Sequence, residues 1–432
     1  MLNKIVAVEE CDATEADSST AVHNKRKNIC NNKKMQTAKR LEGIGEYYFS
    51  KKLREIDGLN KAGKNIINLG IGSPDLPPHP DVVKVLQDES LKANVHGYQS
   101  YKGSPVLRNA MCSWYKKWYG VSLDADTEVL PLIGSKEGIM HICMTYFEPG
   151  VKVLVPNPGY PTYSSAVKLS GAEPVYYTLL EQNNYEPDFD AIEKLLLEAD
   201  NSNTKVYRAI FVNYPQMPTG QQASIALFEK LVAFAVKHQL LIIHDNPYSF
   251  ILNDNPISIL SVEGAKAVTL ELNSLSKSHN MAGWRVGMLC GSKERIDEVL
   301  RFKSNMDSGM YLPLQLAAAK ALSLEQEWYD GVNKIYAERR AKAEELLQLI
   351  GCTIAPNQAG MFIWAKPKNV SANEHELGNG GYVTDQVLYN ANVFITPGGI
   401  FGSAGNDFIR VSLCSPVEKL EEAINRIKQT IV

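Results

Sequence analysis

Five stretches of this chain share one design: a β-rich apolar run breaks off in Asn, Pro, Gly or Ser, and a helical pattern follows. They are NIINLGIG (65–72), VKVLVPNPGYP (151–161), YRAIFVNYPQMPTG (207–220), QLLIIHDNPY (239–248) and AVTLELNSLSK (267–277). Apolar and polar residues do not alternate within the runs. Strands of that kind are covered on both faces, which implies a mostly parallel sheet flanked by helices, an α/β fold. In such sheets ligands bind beyond the carboxyl ends of the strands. The polar clusters of interest here all fall at those ends.

Composition narrows the classes. With 432 residues, 44% of them hydrophobic, the chain has enough apolar surface for a large and a small domain. The net charge of −3 gives no basic excess for nucleic acid or for an anionic membrane surface. No apolar run approaches the ~18 residues of a membrane span. Seven scattered cysteines without a C-x-x-C pair imply a reducing compartment, hence a cytoplasmic protein without a zinc site. Residues 1–34, acidic then basic and poor in apolar residues, read as a disordered extension. Residues 35–75 are expected to form an N-terminal arm and part of a small domain, 76–310 a large domain, and 311–432 the rest of the small domain. The segment 300–350 reads as largely helical and 416–431 as a closing amphipathic helix. HELGNGGY (375–382) reads as a loop.

The chemistry begins with SLSKSHNMAGWRVG (274–287). A lysine amine can link to a carbonyl, and Lys277 stands beside Ser274, Ser276 and Arg285, which suit a phosphate. Asp245 follows the buried run LLIIH and is costly there unless paired; it is placed to hold a pyridinium nitrogen, with Tyr248 three residues on. Gly134 and Ser135 open a helix whose free N–H groups attract a phosphate. Tyr160, set between prolines in PNPGYPTY, is a ring that can stack on a planar group. Arg410 lies inside an apolar strand and calls for an anion. Taken singly, each residue has a plainer account: a surface charge for Lys277, a helix cap for Asp245, core packing for Tyr248 and Tyr160, an internal ion pair for Arg410. His141 reads as a packed histidine.

Together these pieces resemble the class I/II aminotransferases of pyridoxal-phosphate fold type I. The matching stretches run in order from about residue 40 to 432: LGIGSPDLP, YQSYKGSPVLR, GSKEG, PNPGYPTY, NYPQMPTG, DNPY, SLSKSHNMAGWRVG and PGGIFGSAGNDFIRVS. The wording is closest to the branch with LL-diaminopimelate and alanine aminotransferases. The resemblance implies a large domain built on a seven-stranded, mostly parallel sheet and a smaller α+β domain. It implies pyridoxal 5′-phosphate as cofactor and a ping-pong exchange of an amino group between an amino acid and a 2-oxo acid through a Lys277 aldimine. Asp245 would pair with the ring nitrogen and Tyr248 with the phenolic oxygen. Ser135 and Lys136 backbone groups, Ser274 and Arg285 would hold the phosphate, and Tyr160 would stack on the ring. Tyr98 would reach the phosphate of a partner subunit in a homodimer with shared sites. Arg410 and the Gly72 backbone would hold the substrate carboxylate.

One departure from the pattern matters. The family usually has an asparagine where this chain has Met217, and a thioether cannot donate to the phenolic oxygen. Asn213 and Gln216 are the candidates to replace it. For a second substrate carboxylate the sequence offers only Arg40. The competing activities are C–S β-elimination or cyclopropane-carboxylate synthesis on the same cofactor. A regulator without catalysis would need a DNA-binding module that residues 1–34 are too short and polar to build.

Overall fold

The computed structural model describes residues 36–200, 206–368, 370 and 375–430; the expected extension at 1–34 lies outside them. The chain divides into a short unit, Met1–Glu42, and a large one, Gly43–Val432. The described part of the short unit contains a single 3-10 turn, Lys39–Leu41, with exposed side chains that include Arg40.

Thirteen strands are described. A short strand β1 (Ile67–Asn68) comes first. β2 (Val129–Leu132), β3 (Val151–Asn157), β4 (Glu173–Thr178), β5 (Val206–Asn213), β6 (Leu241–Asp245), β7 (Thr269–Ser274) and β8 (Gly287–Gly291) form one seven-stranded sheet in the order β2-β8-β7-β6-β5-β3-β4. β7, β6, β5, β3 and β4 pair in parallel, whereas β8 runs antiparallel to both β7 and β2. Six strands therefore point one way and β8 alone points back.

Side chains alternate across the sheet with a period of two, and both faces are buried. Ile210, Val212 and Ile242 join the core on one face, with Leu107, Met111 and Trp114 of the helix Pro105–Tyr119. Ala209, Phe211 and Ile243 join the core on the other, with Ile139 and Ile142 of the helix Ser135–Tyr146. This two-sided burial is why the runs are apolar throughout. Edge strand β4 is covered on one side only, so EPVYYT mixes exposed and buried residues and carries no such run.

The remaining strands are β9 (Cys352–Ile354), β10 (Phe362–Pro367), β11 (Val393–Phe394), β12 (Thr396–Pro397) and β13 (Ile409–Ser412). Four of them form an antiparallel sheet, β12-β13-β10-β9, and β1 pairs in parallel with β11. The apolar run at 65–72 thus belongs with C-terminal strands, outside the seven-stranded sheet. The expected helices within 300–350 and near the C-terminus are present as Leu312–Leu322, Gln326–Leu349 and Val417–Thr430.

The loop expected at 375–382 is mostly helix, since Gly378–Ala391 is one helix. Its glycines serve close packing: a Cβ at Gly380 would run into the Phe408 carbonyl, and one at Gly381 into the His375 ring. Glycine here lets a helix lie against neighbouring backbone at the expense of its own propensity.

Arg339 ties the N-terminal segment to this frame. Its guanidinium is buried and forks onto both Asp75 oxygens at 2.7 and 2.8 Å, with a third bond to the Leu413 carbonyl at 3.1 Å. Asp75 is partly exposed, so the pair is worth less than a fully buried one. Replacing Arg339 by Met should lower unfolding stability by about 1.5–3 kcal/mol, measured by urea denaturation.

Candidate active site

A cavity of about 590 Å³ opens at the carboxyl ends of the parallel strands. Strand direction explains its contents. β2 runs out into Gly134, Ser135 and Lys136; β5 ends at Asn213, β6 at Asp245 and β7 at Ser274. β8 runs the other way, so its start lies at the same edge, with Gly287 paired to both Ser274 and Leu132. Arg285, two residues before it, is thereby delivered to the end where the other strands finish. The cavity is lined by Gly72, Ser135, Lys136, Tyr160, Asn213, Asp245, Tyr248, Ser274, Lys277, Arg285 and Arg410. Of the residues expected at the site from sequence, Tyr98 and the candidate donor Gln216 do not line this cavity; Tyr98 is 94% exposed.

Lys277 sits on the one-turn helix Leu275–Ser278, capped by Ser274. Its Nζ donates to the Gly72 carbonyl at 2.7 Å. Burial lowers its pKa; the Cys414 thiol and Asp245 oppose that, while Arg410 and Arg285 add to it. The neutral amine is the form that attacks a carbonyl, and a lowered pKa favours it. Gly72 has no room for a side chain, because a Cβ would meet the Phe362 ring.

Asp245 is 5% exposed. One oxygen, Oδ2, accepts from the Tyr163 hydroxyl at 2.8 Å; the other, Oδ1, is buried without a partner. Burial pushes its pKa up to about 6, against the opposing pull of Tyr163, His244 and Lys277. A buried oxygen left open toward a cavity fits a protonated ring nitrogen. Tyr163 is itself fixed by stacking on Phe211, centroids 4.9 Å apart, and by the edge of Tyr160 at 5.5 Å. Tyr163 lay within the quoted PNPGYPTY without a role; only the fold turns its hydroxyl to β6.

The phosphate end is a cradle. Gly134 has φ +82, and a Cβ there would collide with the Arg285 guanidinium. The helix Ser135–Tyr146 starts without a side-chain cap, leaving its dipole end to an anion. Arg285 itself adopts φ 58, a left-handed conformation that costs an L-residue energy, and bonds the Ala282 carbonyl at 2.9 Å. The Lys136 pKa is lowered by burial and by Arg285. Two neighbouring cations at a helix start match a dianion. The Ser274 hydroxyl lies 2.8 Å from that of Ser276, which also lines the cavity.

Arg410 is buried in the same cavity, with its pKa lowered to about 10 by burial. Nη2 donates to the Gly70 carbonyl at 2.8 Å, and Nη1 lies 3.4 Å from the Met217 sulfur. Its Nε has no partner. A buried guanidinium with an unused donor suits a carboxylate.

The substitutes for the missing asparagine differ. Gln216 donates to the Pro158 carbonyl and accepts from Thr219 through both N–H and hydroxyl; it does not line the cavity. Asn213 does line it, with Nδ2 on the Asp245 carbonyl at 2.6 Å and Oδ1 on the Met217 N–H at 2.8 Å. One Nδ2 hydrogen is left to it. His141 is a packed residue, 1% exposed, with its ring against Phe302.

Comparison with known proteins follows the same lines. Residues 64–427 match the family model described as aminotransferase class I and II. The LL-diaminopimelate aminotransferase of Dehalococcoides mccartyi is 40% identical over 91% of this chain and 98% of its own length. Transaminase BacF of Bacillus subtilis is 37% identical over 88% of this chain and 93% of its own. A substrate-bound structure of BacF superposes with a TM-score of 0.84 at 35% identity, covering 91% of this chain and 98% of that one.

Asp245 gives a sign-definite expectation. A carboxyl whose folded pKa lies above its unfolded value of 3.8 holds its proton more tightly when folded. Its burial therefore costs stability progressively as pH rises from 4 through about 6, in all roughly 3 kcal/mol. Cofactor-free Asp245→Asn should be more resistant to urea than the wild type at pH 7.5, with the gap closing toward pH 4.

Proposed function

The chain belongs to the class I and II aminotransferase family, a pyridoxal 5′-phosphate-dependent group of enzymes, and from that premise we propose how its own residues share the work of transferring an amino group from an amino acid to a 2-oxo acid. When bound, the cofactor supplies an aldehyde that links to amines and a ring that takes up electrons released at the substrate α-carbon. The named relatives are transaminases, so transfer is favoured over the elimination and synthase alternatives.

The Lys277 Nζ would carry the covalent attachment and, when free, would be the base that takes the substrate α-proton and gives it to the former aldehyde carbon. Asp245 Oδ1 accepts from the ring nitrogen, and the Tyr163 hydroxyl keeps that carboxylate oriented. Tyr160 stacks on the ring. Tyr248, a half-buried phenol whose pKa burial raises, stays protonated and able to donate to the phenolic oxygen. The Ser135–Lys136 backbone, Ser274 and Arg285 hold the phosphate. Arg410 and the Gly72 segment hold the α-carboxylate. Amino and oxo acids take turns in the same cavity, which makes the kinetics ping-pong. The observation that carries this reading is the convergence of amine, carboxylate and two guanidinium groups, far apart in sequence, on one cavity.

A homodimer and a cytoplasmic location are part of the proposal. Tyr98, Tyr101 and Tyr311 are exposed aromatics, and the Tyr311 ring stacks on His96 at 5.9 Å. Such a patch favours a protein partner. Tyr98 is then free to reach the phosphate of the second subunit. All five described cysteines are free thiols, which suits a reducing compartment. Among the described residues no helix is long and apolar enough to cross a membrane.

Lys277→Ala should lower turnover by at least about 10³-fold while the folded protein still takes up cofactor non-covalently, read by stopped-flow and by equilibrium dialysis. Near-normal turnover would refute the assignment. Sedimentation should give twice the 47.9 kDa chain mass.

A further inference from the structure

We propose that Asn157 is a positioning residue for the substrate carboxylate: its side chain fixes the loop that carries Phe401 against Arg410. The proposal rests on the transamination reading above and deepens it.

The cavity draws its walls from two sheets. β5, β6 and β7 of the seven-stranded sheet end at Asn213, Asp245 and Ser274. Arg410 comes from β13 of the four-stranded sheet, and Phe401 from the loop between β12 and β13. A substrate must meet both groups at once, with its α-carbon near Lys277 and its carboxylate on Arg410. Whatever fastens the β12–β13 loop to the larger sheet therefore sets the shape of the carboxylate clamp.

Asn157, the last residue of β3, is that fastening. It is buried, and its amide spans the seam: Nδ2 donates to the Ser403 hydroxyl at 3.0 Å, and Oδ1 accepts from the Ala404 N–H at 3.1 Å. Beside it the Gly159 N–H donates to the Phe401 carbonyl at 2.9 Å. Its own carbonyl accepts from the Leu179 N–H at 2.8 Å, just past β4, so the anchor is rooted in the sheet. Gly402 lies between Phe401 and Ser403 with φ +129, and a Cβ there would run into Asn157 Oδ1. Glycine is what lets the loop come this close.

A second cavity, of about 300 Å³, runs along this seam and is lined by Asn157, Tyr160, Tyr163, Phe401 and Ser403. It shares Tyr160, Tyr163 and Phe401 with the active-site cavity. Phe401 thus has open space beside it, and packing alone does not hold it in place. What it covers is Arg410: the guanidinium lies 4.7 Å from the Phe401 ring centroid and 3.9 Å from that of Phe362, and the residue is 3% exposed. An ion pair formed under such a cover is stronger than one in water. A Phe401 ring released into the seam would let water reach the guanidinium and weaken the pair. Lys277 and Asp245 are held elsewhere, by the Gly72 carbonyl and the Tyr163 hydroxyl, so the steps after binding do not depend on this loop.

The test compares cofactor-loaded wild type with Asn157→Ala, Asn157→Asp and Ser403→Ala. A panel of L-alanine, L-leucine, L-phenylalanine, L-glutamate, L-lysine and LL-diaminopimelate first identifies the best donor of the wild type. Its kcat and KM are then measured in every variant. Calorimetry follows the binding of two unreactive acids, 3-phenylpropanoate and glutarate. We expect Asn157→Ala to raise KM, and to weaken whichever acid binds the wild type more tightly, by at least about tenfold, with kcat within about threefold. Asn157→Asp should recover at least about threefold of that loss, because its carboxylate still accepts from Ala404 and the Ser403 hydroxyl can turn to donate to it. Ser403→Ala, which removes one bond, should fall between wild type and Asn157→Ala, and it carries the test alone if Asn157→Ala does not fold. A KM within about twofold of wild type in Asn157→Ala, or in Ser403→Ala where that stands alone, overturns the proposal and leaves transamination standing. So does an Asn157→Asp no better than Asn157→Ala. If the wild type takes no donor, the transamination reading fails and this proposal with it.

Discussion

A carboxylate with one oxygen held and the other bare cannot rest comfortably at the end of a buried strand. Asp245, which lines the cavity, is in that position: the Tyr163 hydroxyl satisfies Oδ2, and Oδ1 is buried without a partner. A cationic ring nitrogen placed against it would remove this cost. The other parts of the site make sense around that one bond. Tyr160, Lys277 and Arg285 line the same cavity as Asp245, where the proposed function would use them for the ring, the aldehyde and the phosphate.

The support beneath Asp245 is a second buried polar cluster. The preceding residue, His244, lies 2.8 Å from Glu271 on β7, and Glu271 also accepts from Tyr115, Ser258 and the Ile259 N–H. A fully buried glutamate with this many partners is satisfied where it stands, and it pins β6 to β7 just below the cavity. The carboxylate of β6 and the lysine that follows β7 are thus held in register by a group that takes no part in the chemistry. The alternation of the pleat decides the division: His244 turns one way into the network, Asp245 the other way into the site.

Much of this was legible in the chain. Strands buried on both faces leave unbroken apolar runs, and residues quoted from or near their ends, Lys277, Asp245 and Arg285, share one cavity with Arg410. What escaped lay in long-range geometry. β8 is too short to announce its reversed direction, yet that reversal is what brings Arg285 home. Tyr163 is one tyrosine among twenty until helix and strand are packed. Phe49, Phe362 and Phe401 come from distant segments, yet their ring centroids lie 5.7, 3.9 and 4.7 Å from the Arg410 guanidinium, and nothing local marks them for it. The glycines at 378–381 signalled a loop because glycine's demand for room and its aversion to helices look alike in sequence. Gln216 was a reasonable substitute donor by type, and its prior commitment to Pro158 and Thr219 is a fact of packing alone.

The ring nitrogen is the place to look. With nitrogen-15 in the pyridine ring of the bound cofactor, its resonance at pH 8 reports protonation directly. The account predicts a protonated nitrogen in the wild type and its loss in Asp245→Ala. A neutral nitrogen in the wild-type enzyme, or a protonated one that survives removal of the Asp245 carboxylate, would contradict it.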